Sequence, residues 1–235
     1  NGTTTVTAGT LNIANGGGLG ATTAGTTISS GATLDLINVA VGAEAITLNG
    51  GTLADAASSL AGDVTLTANS TISVTNSADT FTMSGIISGA FNVTKTGAGT
   101  LVLTGANTYS ATTISAGVLQ VGAGGTIGTL GTGNVTNNAT LTFNRSDDFT
   151  YDKVISGTGA LIKNTSNTIT LTGANSYTGS TSINAGQLVI ERDTLTFATS
   201  GFTGAGTLVV QSAAANFASP YTFNATISNL GGLTI

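Results

Sequence analysis

The sequence predicts an all-β fold, a parallel β-helix (β-solenoid) of about ten coils. Three observations carry that expectation. The phrase LTGANTYSATTISAGVLQVG, from Leu103 to Gly122, returns from Leu171 as LTGANSYTGSTSINAGQLVI. Apolar residues within each copy recur at a period of two, which puts one face of a strand into a core. The composition favours strands and turns. Only 6% of residues are charged, against about 25% in ordinary soluble domains. Polarity comes from Thr, Ser, Asn and 34 Gly; β-branched Thr suits strands, and Gly and Asn suit turns.

The repeat has a measurable period. Ile87-Ser88-Gly89 matches Ile155-Ser156-Gly157, Lys95 matches Lys163, and Gly105-Ala106-Asn107 matches Gly173-Ala174-Asn175, all 68 residues apart. After Tyr109 and Tyr177 the second copy gains one residue, so Leu119 pairs with Leu188 at 69. Internal repeats therefore run over about 87–154 and 155–226, with partial units at both ends: Thr4–Gly17 echoes Thr112–Gly125, and ISNLGGLTI echoes ISGTGALIK. Residues 1–235 read as a single β-helix segment of a longer repeat array.

Taken in chain order, Leu11-Asn12-Ile13 is the first stretch with its outer residues apolar and its middle one polar. Asn49-Gly50 is a lone candidate for a hairpin turn, the two-residue signal that a meandering sandwich or barrel would show many times. Leu101-Val102-Leu103 becomes Ile169-Thr170-Leu171 in the second copy, so the outer positions face inward. Leu119-Gln120-Val121 and Leu188-Val189-Ile190 obey the same rule. The small residues of TISAG and GAGG suit tight corners, and Asn107 and Asn175 are expected at turn positions in left-handed geometry. Near-identical units at a fixed period favour a stacked array over a barrel, each coil burying its apolar edge on the next. At ~20–25 residues per coil a 68-residue unit makes about three coils, and ten coils stacked ~4.8 Å apart make a rod of roughly 50 Å.

Several function classes fall away on composition. His and Cys are absent, which excludes Ser-His-Asp and Cys-His catalysis, histidine or thiolate metal sites, and disulfides. Five Lys and Arg against ten Asp and Glu leave a net charge of −5, with no basic footprint for nucleic acid. The mean hydropathy is +0.34, yet no stretch approaches the ~18 uninterrupted apolar residues of a spanning helix. The opening NGTTTVTAGT has no signal-peptide character, as expected of a mature product or a piece of something larger.

The phrase GTLVLTGANTYS (Gly99–Ser110), TTISAGVLQVG (Thr112–Gly122) and the preceding ISG…K (Ile87–Lys95) resemble the autotransporter-associated β-strand repeat of bacterial autotransporter passengers and giant surface proteins. The resemblance covers residues 87–194, and the second copy departs from it at Asn167, where Gly is expected. It implies a right-handed parallel β-helix, exported to the bacterial cell surface through an outer-membrane translocator. A cysteine-free chain that folds coil by coil suits such export. The implied partners are neighbouring repeats of the same chain, head-to-tail copies at exposed strand edges, and surface glycans or host cell-surface receptors.

Carboxylate chemistry remains. Asp147, Asp148 and Asp152 cluster around Arg145 and Lys153 in NRSDDFTYDK. Such a cluster suits a calcium site or the acid/base pair of a glycan-cleaving enzyme, but an exposed loop that keeps a weakly charged rod soluble is the expected reading. Tyr109 and Tyr177 could form a regular glycan-stacking track; corners that every unit must make are preferred. Glu191-Arg192-Asp193 reads as a solvated turn. Rows such as TTTVT, TLTAN and TITLT would form the flat hydroxyl lattice of ice-binding solenoids only if Thr-x-Thr recurred on one face of successive coils, and the sequence places them irregularly. No catalytic, cofactor-binding or metal-ligating residue is assigned, and no cofactor. The expected function is a non-catalytic structural or adhesive stalk or filament segment; a polysaccharide-degrading β-helix enzyme is the alternative.

Overall fold

The computed structural model describes residues 2–20, 22–191 and 201–211, with the backbone of 232–234. Among them the regular elements are strands, no helix is long and apolar enough to cross a membrane, and every strand-to-strand pairing is parallel. The chain visits three faces in rotation, making a β-solenoid of about ten turns. One face begins as a five-stranded sheet of Thr4–Val6, Thr26–Ser29, Ile46–Asn49, Val64–Ala68 and Ile87–Ser88. The second holds eight strands: Gly9–Ile13, Ala32–Ile37, Thr52–Ala56, Ser70–Val74, Val93–Thr96, Thr112–Ile114, Val135–Asn137 and Ile155–Ser156. The third holds nine: Ala40–Val41, Ser59–Leu60, Thr80–Met83, Thr100–Leu103, Val118–Val121, Thr140–Phe143, Ala160–Lys163, Thr181–Ile183 and Phe202–Thr203. A fourth sheet, Phe149–Tyr151, Thr168–Leu171, Gln187–Glu191, Thr207–Gln211 and Gly232–Thr234, takes the first face's place in the chain order.

Alternation explains the register. In Ala32–Ile37 buried Ala32, Leu34 and Leu36 alternate with half-buried Thr33, Asp35 and Ile37. Inward residues then stack in columns, such as Leu34, Leu53, Ile72, Lys95 and Ile114 on the second face, and Phe81, Leu101, Leu119, Leu141 and Leu161 on the third. A fully buried Leu, Ile or Phe contributes roughly 2 kcal/mol, so apolar burial does most to hold the coils of each column together. The strands anticipated at 101–103, 119–121, 169–171 and 188–190 all form, with their outer residues buried. At 11–13 Ile13 is buried, Leu11 half-buried and Asn12 exposed.

Backbone packs on backbone at the corners. A Cβ built on Gly85 would lie 2.1 Å from the Gly62 carbonyl oxygen, and one on Gly105 2.1 Å from that of Gly85. These glycines form a column in which no side chain fits.

Three expectations need correction. Asn49-Gly50 makes no hairpin: Ile46–Asn49 and Thr52–Ala56 lie in different sheets, and Gly50 (φ 77°) turns the corner between them. Asn107 and Asn175 are not left-handed; among the described residues the non-glycine residues with positive φ are Asn38 and Ala57. The repeat unit is longer than three coils. Paired residues on adjacent coils lie between 18 apart (Leu101 and Leu119) and 23 apart (Ile72 and Lys95) through residue 211, so 68 residues make ten strand positions, or three and a third turns. Val93 consequently lies in the second face while its counterpart Leu161 lies in the third, and Thr100 and Thr168 are likewise one face apart.

Candidate functional site

The residues that define the repeat face the interior. Lys95 sits in an inward column between Ile72 and Ile114, and Lys163 in another between Phe143 and Ile183; both are 0% exposed. A buried ammonium needs acceptors, and each has three. Lys95 Nζ donates to the carbonyl oxygens of Thr96 (2.7 Å), Gly97 (2.8 Å) and Ala116 (3.2 Å). Lys163 Nζ donates to Thr165 O (2.5 Å), Asn167 Oδ1 (3.0 Å) and Ala185 O (2.9 Å). In each case a corner of the lysine's own coil is tied to the corner of the next. Asn167, the departure from the repeat, thus supplies a side-chain acceptor to the second lysine. Burial lowers both lysines to a pKa of about 8.

Tyr109 and Tyr177 are equally interior, 0% and 2% exposed, and share hydrogen bonds with Thr112 Oγ1 (2.9 Å) and Thr181 Oγ1 (2.8 Å). Burial raises both hydroxyls, Tyr177 to about 12. A glycan-stacking track is therefore ruled out at these tyrosines, and the corner reading holds. Asn107 and Asn175 are ties between coils: their Oδ1 atoms accept the N–H groups of Ile87 and Ile155, both at 2.8 Å, and Asn107 Nδ2 also donates to Thr129 O at 2.7 Å.

The charged segment 144–153 does not converge on a ligand. Arg145 donates through Nε to Asp147 Oδ1 at 2.9 Å and through its terminal nitrogen to Oδ2 at 2.5 Å. That contact holds the Asp147 carboxyl below its usual range. Lys153 pairs with Asp152 at 2.9 Å and lowers it in the same way. Asp148 Oδ1 accepts the Thr168 N–H at 2.6 Å. Among the described residues no group of three or more His, Cys, Asp or Glu side chains is placed to hold a metal ion. Of Glu191-Arg192-Asp193, Glu191 ends a strand and the other two lie outside the described residues.

Threonine is more regular than the sequence suggests. Thr10, Thr33, Thr52, Thr71, Thr94, Thr113 and Thr136 stand in single file on the second face. The file two residues on reads Asn12, Asp35, Ala54, Ser73 and Thr96, so the paired rows of a flat hydroxyl lattice do not form on this face.

One feature sequence reasoning missed is a cavity of about 370 Å³ in the wall of the solenoid, between the glycine-rich segment 128–132 and residues 149–153 of the next coil. Phe143, Phe149 and Tyr151 form an aromatic group beside it, with ring centroids 5.5 Å apart for the two phenylalanines and 5.8 Å for Phe143 and Tyr151. The Arg145 guanidinium covers the Phe149 ring at 4.7 Å. The only advance signal was the glycine run itself.

Residues 93–121 and 161–190 match the Passenger-associated-transport-repeat family. These two segments are similar to passenger-associated transport repeats. The two matched segments take in the strands from Val93 and from Leu161 to Val121 and Ile190, with the buried lysine and tyrosine of each. A curated relative, described as "Adhesin BmaC autotransporter" from Brucella suis biovar 1 (strain 1330), is 36% identical over 180 residues, which covers 61% of this chain. The chain spans 5% of that relative's length. No solved structure matches the chain.

Proposed function

We propose that this chain is a non-catalytic rod segment of an autotransporter passenger, displayed on the bacterial surface or released from it, whose outer faces serve adhesion. One observation carries the reading: the repeat's signature side chains, Lys95 and Lys163 with Tyr109 and Tyr177, all lie inside; the lysines tie coil to coil, and the tyrosines brace the following strand of their own coil. A repeat built this way specifies a rod, and leaves the outward residues to vary with the surface that is met. The likeness to an adhesin autotransporter supports the same use. Units 87–154 and 155–226 are the building blocks, and surface glycans or host receptors are the partners. An outer-membrane translocator passes the chain, and coil-by-coil folding outside the cell follows from each coil's dependence on its neighbour alone.

The test couples the purified chain to beads and measures attachment to immobilised glycans and epithelial cell surfaces, alongside sugar release from polysaccharides. Attachment without release is expected. Multiple-turnover sugar release, or no attachment above that of bare beads, would overturn the reading.

A further inference from the structure

The cavity marks a break in the wall of the solenoid. On one flank the two coils are joined by Asn144 N–H to Val121 O (2.8 Å), Gly124 N–H to Asn144 O (2.7 Å) and Ser146 N–H to Gly125 O (2.9 Å). They meet again on the other flank, where Val135 N–H donates to Val154 O at 2.8 Å. Between these points the strand Phe149–Tyr151 pairs on one edge only, with Thr168–Leu171. The segment opposite bonds the other way, Thr129 N–H to Gly105 O (3.0 Å) and Thr132 N–H to Tyr109 O (2.8 Å). It also supplies little to the core: Leu130 is buried, but Ile127 is 62% exposed and glycines fill much of the rest. Phe149 and Tyr151 therefore point inward with too little beneath them and stay half-buried.

We propose that this window accepts an extended peptide segment of another protein as an inserted strand. The segment pairs with the open edge of Phe149–Tyr151 and sets one large apolar side chain into the cavity. The backbone geometry argues for a peptide. Thr172 N–H donates to Tyr151 O at 3.1 Å, which commits Tyr151, and by strand alternation Phe149, to the neighbour on the closed side. The N–H and C=O of Thr150 then face the window, and donor and acceptor at strand spacing are best met by another strand. Part of the opposite wall is already committed, because Arg145 donates to Gly128 O (2.8 Å) and Thr126 O (3.0 Å). Val121, Leu130 and Phe143 give the cavity an apolar lining, and its volume suits a side chain with its flanking backbone. A sugar is disfavoured because Arg145 already covers the Phe149 ring. A polyanion is disfavoured because Lys153 is paired with Asp152.

The proposal goes beyond the rod reading and does not depend on it. The probe is a fluorescein-labelled peptide with the sequence of Asn167–Gly173, NTITLTG, the strand that already pairs with the other edge. Saturable fluorescence anisotropy is expected, with at least a tenfold loss when alternate peptide nitrogens are N-methylated. Hydrogen exchange at the Thr150 amide is expected to slow when the peptide is added. Thr150→Pro removes the outward N–H at an edge position where proline is tolerated, and is expected to abolish binding while circular dichroism stays unchanged. Absence of saturable binding, equal binding of the N-methylated peptide, or unchanged exchange at Thr150 would each overturn the proposal, and the last two need no mutant to fold. Sugar release in the earlier assay would sink the rod reading and leave this one standing.

Discussion

Buried charge separates two kinds of interior polar residue. Lys95 and Lys163 have a full set of acceptors, so removing the ammonium leaves corner carbonyls unpaired. Lys95→Met is expected to destabilise by about 3 kcal/mol in denaturant melts. Asp55 is the opposite case. It stacks inward between Leu36 and Val74, is 1% exposed, and neither carboxylate oxygen makes a well-formed hydrogen bond, although nearby Ser58 partly offsets the cost of burial. Burial, with the Asp79 and Asp35 carboxylates adding, raises its pKa from 3.8 to about 6. The folded state therefore holds this proton more tightly than the unfolded state does. The stabilising share is complete below about pH 4 and is lost as pH rises through 6. Asp55→Val is expected to raise stability at pH 7 by on the order of 2 kcal/mol and to flatten the pH dependence between 4 and 6. Thermal melts across that range check both outcomes, and an unchanged slope in the variant would contradict the assignment.

Corners, more than strands, set what an element tolerates. With backbone on backbone in the column Gly62, Gly85 and Gly105, Gly85→Ala forces the coils apart and is expected to cost about 3 kcal/mol. Ala at exposed Gly124, where a Cβ would meet nothing within 4 Å but φ is 86°, is expected to cost about 1 kcal/mol; chemical melts of the two variants compare them. At this scale the strands were legible, because alternation at Leu101-Val102-Leu103 and Ile169-Thr170-Leu171 reports directly which side faces in. The lysines were not, since charge argues for exposure until three carbonyl acceptors are in view. The same holds for Tyr109 and Tyr177, whose recurrence was plain while their direction was not. The window could not be read at all, because it consists of side chains that a glycine-rich segment lacks, beside an edge that only the pairing reveals.

For the whole molecule, the repeats wind as a screw. A unit of ten strand positions on three faces carries each equivalent residue one face onward, so an outward feature recurring with the repeat spirals around the rod. The sequence displays the 68-residue period but not this rotation, which depends on how individual turn lengths add up. Parallel stacking with that rotation is the central claim, and the absence of native cysteine makes engineered disulfides a direct test. Thr113 and Thr136 are register partners on adjacent turns, within the Cα separation a disulfide spans. Thr113 and Ser182 occupy equivalent repeat positions but lie on different faces. Under mild oxidation, read by mass spectrometry, Thr113→Cys with Thr136→Cys is expected to cross-link and Thr113→Cys with Ser182→Cys to stay reduced. The reverse pattern would contradict the solenoid and its screw.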